Sequence, residues 1–108
     1  MTQTIVQINF TYGMTDADYA TLAHHGAVAI ADVPGLIWKL FLCNSEQQTA
    51  GGIYLFADRA AATAYVNGPI IGRLRQHPQI TGMDINLFDV LLAPTQVTRG
   101  PLAALSPA

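Results

Sequence analysis

Residues 35–56, GLIWKLFLCNSEQQTAGGIYLF, decide the fold of this chain of 108 residues. Two apolar stretches, at about 36–43 and 50–56, flank a polar turn at 44–48. Apolar stretches of this length on either side of a turn predict a β-hairpin. Apolar residues on both faces of each strand indicate a sheet that is buried on both sides. The glycine pair at 51–52 leaves one strand without side chains, and predicts room there for a small molecule.

Alternation along the first hairpin strand separates two sets of side chains. One face is predicted to carry Leu36, Trp38, Leu40 and Leu42, and the other Ile37, Lys39, Phe41 and Cys43. A turn around residues 46–47 predicts that Trp38 pairs near Tyr54, and that Leu40 lies opposite Gly52. Because cross-strand neighbours on one face interact directly, we expect Trp38 and Tyr54 to form one aromatic wall.

The rest of the chain completes a β-α-β-β-α-β order. Period-two alternation predicts a strand over 4–11. Helical spacing after a capping Thr15 predicts a helix over about 16–31. Asp58 caps a second helix, Pro69 begins a short third one, and residues about 80–92 form a last strand or two. This is the α+β, ferredoxin-like arrangement, with helices on one face of an antiparallel sheet.

We expect one domain over residues 1–92. The tail over 93–108 contains three prolines, and is predicted to be an arm on the surface or on the partner protomer rather than another element.

Composition indicates that part of the surface is covered by a second copy. Hydrophobic residues make up 51% of the chain and charged residues 11%, against about 25% charged in an average soluble domain. A small monomer has few charges with which to cover so much surface. We therefore expect a homodimer, the commonest symmetric arrangement, with the apolar outer face of the sheet as its interface.

Charge and hydropathy argue against several classes of partner. The net charge is −2 and no basic run is present, so nucleic-acid binding by phosphate neutralisation is not expected. The apolar stretch around Trp38 is too short to span a bilayer, and the first ten residues lack a positively charged leader region. A single cysteine, Cys43, fits a reducing compartment, and we expect a cytoplasmic protein.

Several motifs resemble one family over nearly the whole chain. Gly35, Trp38-Lys39, AGGIYLF at 50–56 and Ala64-Tyr65 are similar to the ydhR-type monooxygenases, with a weaker match at 88–90 and 98–100. These belong to the dimeric α/β-barrel group that includes antibiotic-biosynthesis monooxygenases. The resemblance implies a homodimer with its sheets face to face and a pocket between sheet and helices. Members often carry a glutamate just before AGG, where this chain has Thr49.

Candidate catalytic residues are Lys39 and Tyr54. A lysine ammonium stabilises a developing enolate or phenolate, although Lys39 could instead lie at a sheet edge or pair with a carboxylate such as Asp89. The Tyr54 hydroxyl can bind a phenol or quinone oxygen. The candidate substrate-binding residues are Trp38, Asn9, Tyr65 and Phe88. Trp38 could equally be packing, and the Asn9 amide could bond across a dimer.

Histidines are weaker candidates. Helical geometry places His24 and His25 on opposite flanks of the first helix, away from its inward face, and His77 precedes a proline at a helix end, so we expect all three to be solvated. No spacing of metal ligands is present, and Gly51-Gly52 lacks the G-x-G-x-x-G pattern of a nucleotide site. We expect no cofactor and no metal.

The resemblance to the ydhR-type family, together with the absence of cofactor motifs, implies a cofactor-independent monooxygenase that acts on a small apolar or aromatic molecule, such as a phenol or enol. Two other functions use the same pocket. One is a non-catalytic ligand-binding or stress-related dimer, since fold does not fix function. The other is an isomerase or cyclase that works without oxygen.

Overall fold

The computed structural model describes residues 2–103. Its elements are β1 (Thr4–Tyr12), α1 (Asp16–Ala31), β2 (Leu36–Asn44), β3 (Thr49–Phe56), α2 (Arg59–Val66), α3 (Pro69–Gln76), β4 (Ile80–Asp89) and α4 (Leu92–Val97). The predicted elements are all present, and residues 80–89 form one strand rather than two. The prediction that no regular element follows residue 92 was wrong, because α4 is a short helix. The end of the predicted arm, 104–108, lies outside the described residues.

One antiparallel sheet has the strand order β2-β3-β1-β4, which confirms the ferredoxin-like prediction. Its helix face is the side that carries the buried residues Val6, Ile8, Phe10 and Tyr12 of β1. These side chains form the core together with Tyr54, Phe56, Tyr19, Ile30, Tyr65 and Ile71. The opposite side is the outer face. No helix within residues 2–103 is long and apolar enough to cross a membrane.

The register of the β2–β3 hairpin differs by one residue from the predicted one. Asn44 pairs with Thr49 across a four-residue turn, and this places Trp38 opposite Leu55 and Lys39 opposite Tyr54. A shift of one residue moves a side chain to the other face of the sheet. The expected aromatic wall of Trp38 and Tyr54 was therefore wrong, because the two side chains lie on opposite faces.

A β-bulge at the start of β2 explains a second difference. The register shifts between Leu36 and Trp38, so Ile37 is the extra residue of the bulge. Leu36 pairs with Phe56 and packs against the core on the helix face. It does not share a face with Trp38, as simple alternation had predicted.

The chain beyond β4 returns across the outer face. The Trp38 indole N–H donates a hydrogen bond to the Pro101 carbonyl, at 2.7 Å. The Gln3 side chain makes two hydrogen bonds with the backbone of Ala103, each of 3.1 Å. These contacts help to explain why Leu55, a central residue of the outer face, has no exposed surface.

Candidate functional site

A cavity of about 350 Å³ lies between the helix face of the sheet and helices α1 and α3. Its walls are mostly apolar and aromatic, and include Phe10, Tyr19, Leu22, Ile30, Phe41 and Leu74. A concave, largely apolar space with a few polar groups is the usual form of a small-molecule site.

Lys39 enters this cavity because Gly52 has no side chain. A Cβ atom built on Gly52 would lie 2.5 Å from Cε of Lys39 and 3.5 Å from its Nζ. The stem of the lysine thus occupies the space that a side chain on β3 would fill. The expectation that the glycine pair leaves room for a ligand was wrong at this position, since Lys39 takes up the room.

The Lys39 ammonium lies against two aromatic rings. Its Nζ is 3.7 Å from the ring centre of Phe41 and 4.5 Å from that of Tyr54, within the range of cation–π attraction. Within residues 2–103, the one side-chain ion pair joins Arg59 to Asp89, at 3.1 Å. The alternative that Lys39 pairs with Asp89 is therefore not realised.

Burial changes the acid–base chemistry of Lys39. Desolvation lowers the pKa of its ammonium to about 7, because a charged group is disfavoured in apolar surroundings. A substantial fraction of the side chain is then the neutral amine near neutral pH. Lys39 can accept a proton from a bound molecule in this form, and the resulting ammonium can stabilise an anion.

Tyr54 and Tyr65 form a buried hydroxyl pair beside Lys39. The Tyr65 hydroxyl donates a hydrogen bond to the Tyr54 oxygen, at 3.0 Å, and both residues line the cavity. Burial is the main cause that raises the pKa of each phenol. Both hydroxyls therefore stay protonated, and the Tyr54 proton remains available to donate to a ligand oxygen.

The ionisable side chains at the mouth of the cavity are one arginine and two histidines, and no carboxylate of residues 2–103 lines it. Arg73 and His25 are exposed there, and His77 is half-buried. The Nδ1 atom of His77 accepts a hydrogen bond from the Gln79 N–H, at 3.1 Å, so neutral His77 carries its proton on Nε2. The expected exposure of His25 is confirmed, whereas His77 is more buried than predicted.

A second groove adjoins the cavity. It has a volume of about 560 Å³ and shares Ala29, Tyr65 and Ile70 with the first. Its charged lining residues are Asp32 and Asp58, and Asp58 is occupied as the N-cap of α2. Among the described residues, the lining of the larger groove includes no basic side chain. We therefore assign the site to the cavity that contains Lys39.

The six predicted site residues divide between the two faces. Lys39, Tyr54 and Tyr65 line the cavity. Trp38, Asn9 and Phe88 do not line it and belong to the outer face, where Asn9 pairs with Gly51 and Phe88 with Ile5. Any substrate contact by these three residues would lie outside this cavity.

Some lining residues were missed because they come from elements distant in sequence. Tyr19 stacks on Tyr12 with ring centres 4.8 Å apart, and burial raises its pKa to about 12. Arg73 was missed because the sequence contains no basic run that would single it out. A cavity-facing position on α3, next to the inward Leu74, was the available signal. In the described part of the chain, no three His, Cys, Asp or Glu side chains converge as for a metal ion.

A family model described as putative mono-oxygenase ydhR matches residues 5–101. The chain belongs to the ydhR family. This match confirms the resemblance inferred from the hairpin motifs. The cavity described above is thus the candidate site of a ydhR-family protein, and no curated protein matches its sequence.

Solved structures support the fold of the ydhR-family chain. A mutant form of SnoaB, a cofactor-independent oxygenase from Streptomyces nogalater, matches with a TM-score of 0.68 and 15% identity over 84% of this chain and 95% of SnoaB. NE2512 of Nitrosomonas europaea, a protein of unknown function, matches with a TM-score of 0.64 and 23% identity over 100% of this chain and 97% of NE2512. A Deinococcus radiodurans protein described as a putative antibiotic biosynthesis monooxygenase matches with a TM-score of 0.62 and 17% identity over 81% of this chain and 91% of its own. At these identities the likeness shows the fold alone.

Proposed function

We propose that this ydhR-family protein is a cofactor-independent monooxygenase that acts on a small aromatic phenol or enol. The observation that carries the proposal is Lys39, a side chain of lowered pKa within an aromatic cavity. A group that can take a proton near neutral pH is what oxidation of a phenol or enol by oxygen first requires. The family and the SnoaB-like fold support the same reaction class.

Lys39 and Tyr54 have separate roles in the proposed first step. The neutral Lys39 amine takes the proton of the substrate hydroxyl. The substrate oxyanion then lies between the Lys39 ammonium and the Tyr54 hydroxyl, which is fixed by the Tyr65 hydrogen bond of 3.0 Å. Donors placed where charge develops lower the barrier of a reaction.

Oxygen is the oxidant in the second step. The substrate anion gives one electron to O₂, and the resulting radical and superoxide combine to form a carbon–oxygen bond. The peroxide takes the proton that Lys39 holds, and loss of water from the CH–OOH group leaves a ketone. The balance is CH₂ + O₂ → C=O + H₂O, with the substrate itself as the reductant.

Oxygen uptake with anthrone-like and polyphenol substrates tests this proposal. We expect one O₂ consumed per substrate, and one atom of ¹⁸O₂ in the product. Because the amine must be neutral to act, the rate should rise with pH through about 7, the pKa of Lys39. A broad panel with no uptake would count strongly against the proposal, as would a rate that falls over this pH range.

The other two functions give different results in the same experiment. Turnover that continues without oxygen would identify an isomerase or cyclase. Tight binding without any product would identify a ligand-binding protein. Either outcome would replace the monooxygenase proposal while keeping the cavity as the site.

We further propose that two copies associate through the outer face of the sheet. Apolar side chains of this face and of the segment after β4 are exposed to solvent. The exposed fraction is 54% for Leu40, 51% for Phe88 and 73% for Leu91. Burial of such surface stabilises association by about 25 cal/mol per Å². Gln7 and Asn9 lie between the apolar residues and provide polar groups that a partner copy can satisfy.

Replacing Leu40 by glutamate should dissociate this dimer, because a carboxylate would be buried at the interface without a partner. Light scattering should then give the monomer mass of 11.6 kDa. The matched control is Val28→Glu, at a position on α1 that is 69% exposed and should stay dimeric. A wild-type monomer at micromolar concentration would disprove the dimer.

A cytoplasmic location is the third part of the proposal. Cys43 is exposed and forms no disulfide, as is usual where thiols are kept reduced. Cell fractionation would test it, and recovery from an oxidising compartment would contradict it.

A further inference from the structure

The charged groups around the cavity have an uneven distribution. Four basic side chains line it, namely Lys39, Arg73, His25 and His77, and no aspartate or glutamate within residues 2–103 does so. The chain as a whole is nearly balanced, with seven aspartate and glutamate residues against five lysine and arginine residues and three histidines. The excess of basic groups is thus a property of this cavity and does not follow from composition.

The basic groups also lie at two depths. Lys39 is half-buried against Phe41 and Tyr54, whereas Arg73 and His25 are exposed at the mouth. The remaining walls between them are apolar and aromatic. The adjoining groove carries Asp32 and Asp58, so an anion is disfavoured at that end and favoured at the end near Arg73.

From this arrangement we infer that the substrate is an aromatic acid, with an anionic group such as a carboxylate bound at the mouth by Arg73 and His77. The aromatic body lies among the rings of the cavity, and the phenol or enol group reaches Lys39. The inference rests on the proposed function, because it names the substrate class for the same cavity. A guanidinium is suited to a carboxylate because it offers paired donors in one plane.

Two dyes with one aromatic scaffold test the inference by fluorescence. 1-Anilinonaphthalene-8-sulfonate carries an anionic group, and N-phenyl-1-naphthylamine has the same rings without it. We expect the anionic dye to bind about tenfold more tightly at low salt. Raising the salt concentration should weaken the anionic dye alone, because salt screens exposed charges.

Two arginines on α3 provide a matched pair of variants. Arg73→Gln should weaken the anionic dye about fivefold and leave the neutral dye unchanged. Arg75→Gln removes the same charge from the same helix at an exposed position that does not line the cavity, and should change neither dye. Equal effects of the two variants would overturn the inference.

The Gly26→Leu variant tests whether the two dyes bind inside this cavity. A Cβ atom at Gly26 would meet only Cδ1 of Ile30, at 4.0 Å, so a leucine can be accommodated and would extend into the cavity that Gly26 lines. Leucine is also the better helix former. We expect this variant to lose both dyes.

Three results would overturn the inference: no binding of the anionic dye to the wild type, equal affinity for the two dyes, or an anion preference that survives Gly26→Leu. The dye experiment needs neither oxygen nor turnover. A negative dye result would therefore contradict only the inference about an anionic substrate. The oxygenase proposal would instead be contradicted by an absence of oxygen uptake.

Discussion

Lys39→Met is expected to lower the rate of oxygen uptake at least 100-fold. Methionine fills a similar volume beside Gly52 but cannot accept the substrate proton. General base catalysis contributes about 10²- to 10⁴-fold, and the lost ammonium adds the stabilisation of the anion. The rise of the rate through pH 7 should disappear together with the activity. An oxygen electrode with the best wild-type substrate measures both effects.

The same substitution should make the fold more stable at low pH. The pKa of Lys39 falls from 10.5 in the unfolded chain to about 7 in the fold, so the unfolded chain binds more protons between these values. Stability of the wild type therefore rises with pH from about 7 to 10.5, and the full cost of the buried charge is present below pH 7. That cost is on the order of 3–5 kcal/mol, and Lys39→Met should remove it.

Thermal melts at pH 6 and pH 10 measure this difference. The variant should melt well above the wild type at pH 6, and the gap should shrink at pH 10. A gap independent of pH would show that Lys39 keeps an ordinary pKa, and would remove the basis for its role as a base. Lys39 is the only lysine of the chain, so the NMR titration of its methylated amine provides an independent check on the wild type.

Gly51→Ala is expected to destabilise the protein by more than about 3 kcal/mol, the range of severe core and backbone substitutions. Gly51 has φ of +151°, a conformation that residues with a side chain rarely adopt. An added Cβ would lie 1.8 Å from the Ile8 carbonyl oxygen and 2.8 Å from the Ile8 carbonyl carbon. The two central strands, β1 and β3, would have to separate to accommodate it.

Gly72→Ala is the matched control for this prediction. It adds the same methyl group within α3, where no atom other than those of its chain neighbours and of the helix's own backbone lies within 4 Å of the new Cβ. An alanine in a helix interior should stabilise the protein by about 0.5–1 kcal/mol. Urea unfolding of both variants gives the comparison, and a Gly51→Ala variant within about 1 kcal/mol of the wild type would show that the contact between β1 and β3 is not as tight as described.

The sequence contained enough signal for the order of elements, because the periodicity of β1 and the caps Thr15 and Asp58 are local features. The register of the β2–β3 hairpin could not be predicted from such local features. It depends on which residues close the turn, and a difference of one residue changes the face on which Trp38 lies. The bulge at Ile37 leaves no mark in the hydrophobic pattern, which is apolar on both sides of it.

The candidate site was partly predictable for a related reason. Lys39, Tyr54 and Tyr65 stood out as polar or charged groups among apolar residues. The role of Gly52 in admitting the lysine could not be seen, because it depends on the cross-strand position of two residues far apart along the hairpin. Arg73 and His77 come from α3 and its C-terminal end, and their approach to β2 depends on how that helix packs on the sheet.

Trp38 gives the molecule an internal optical probe. The only tryptophan donates its indole hydrogen bond to Pro101 on one face of the sheet, while the cavity on the other face contains tyrosines. Fluorescence emission from Trp38 should therefore report whether the C-terminal segment is bound to the outer face, and tyrosine absorbance should report whether the cavity is occupied. Two events on opposite faces of one thin sheet can in this way be followed at different wavelengths in a single unlabelled sample.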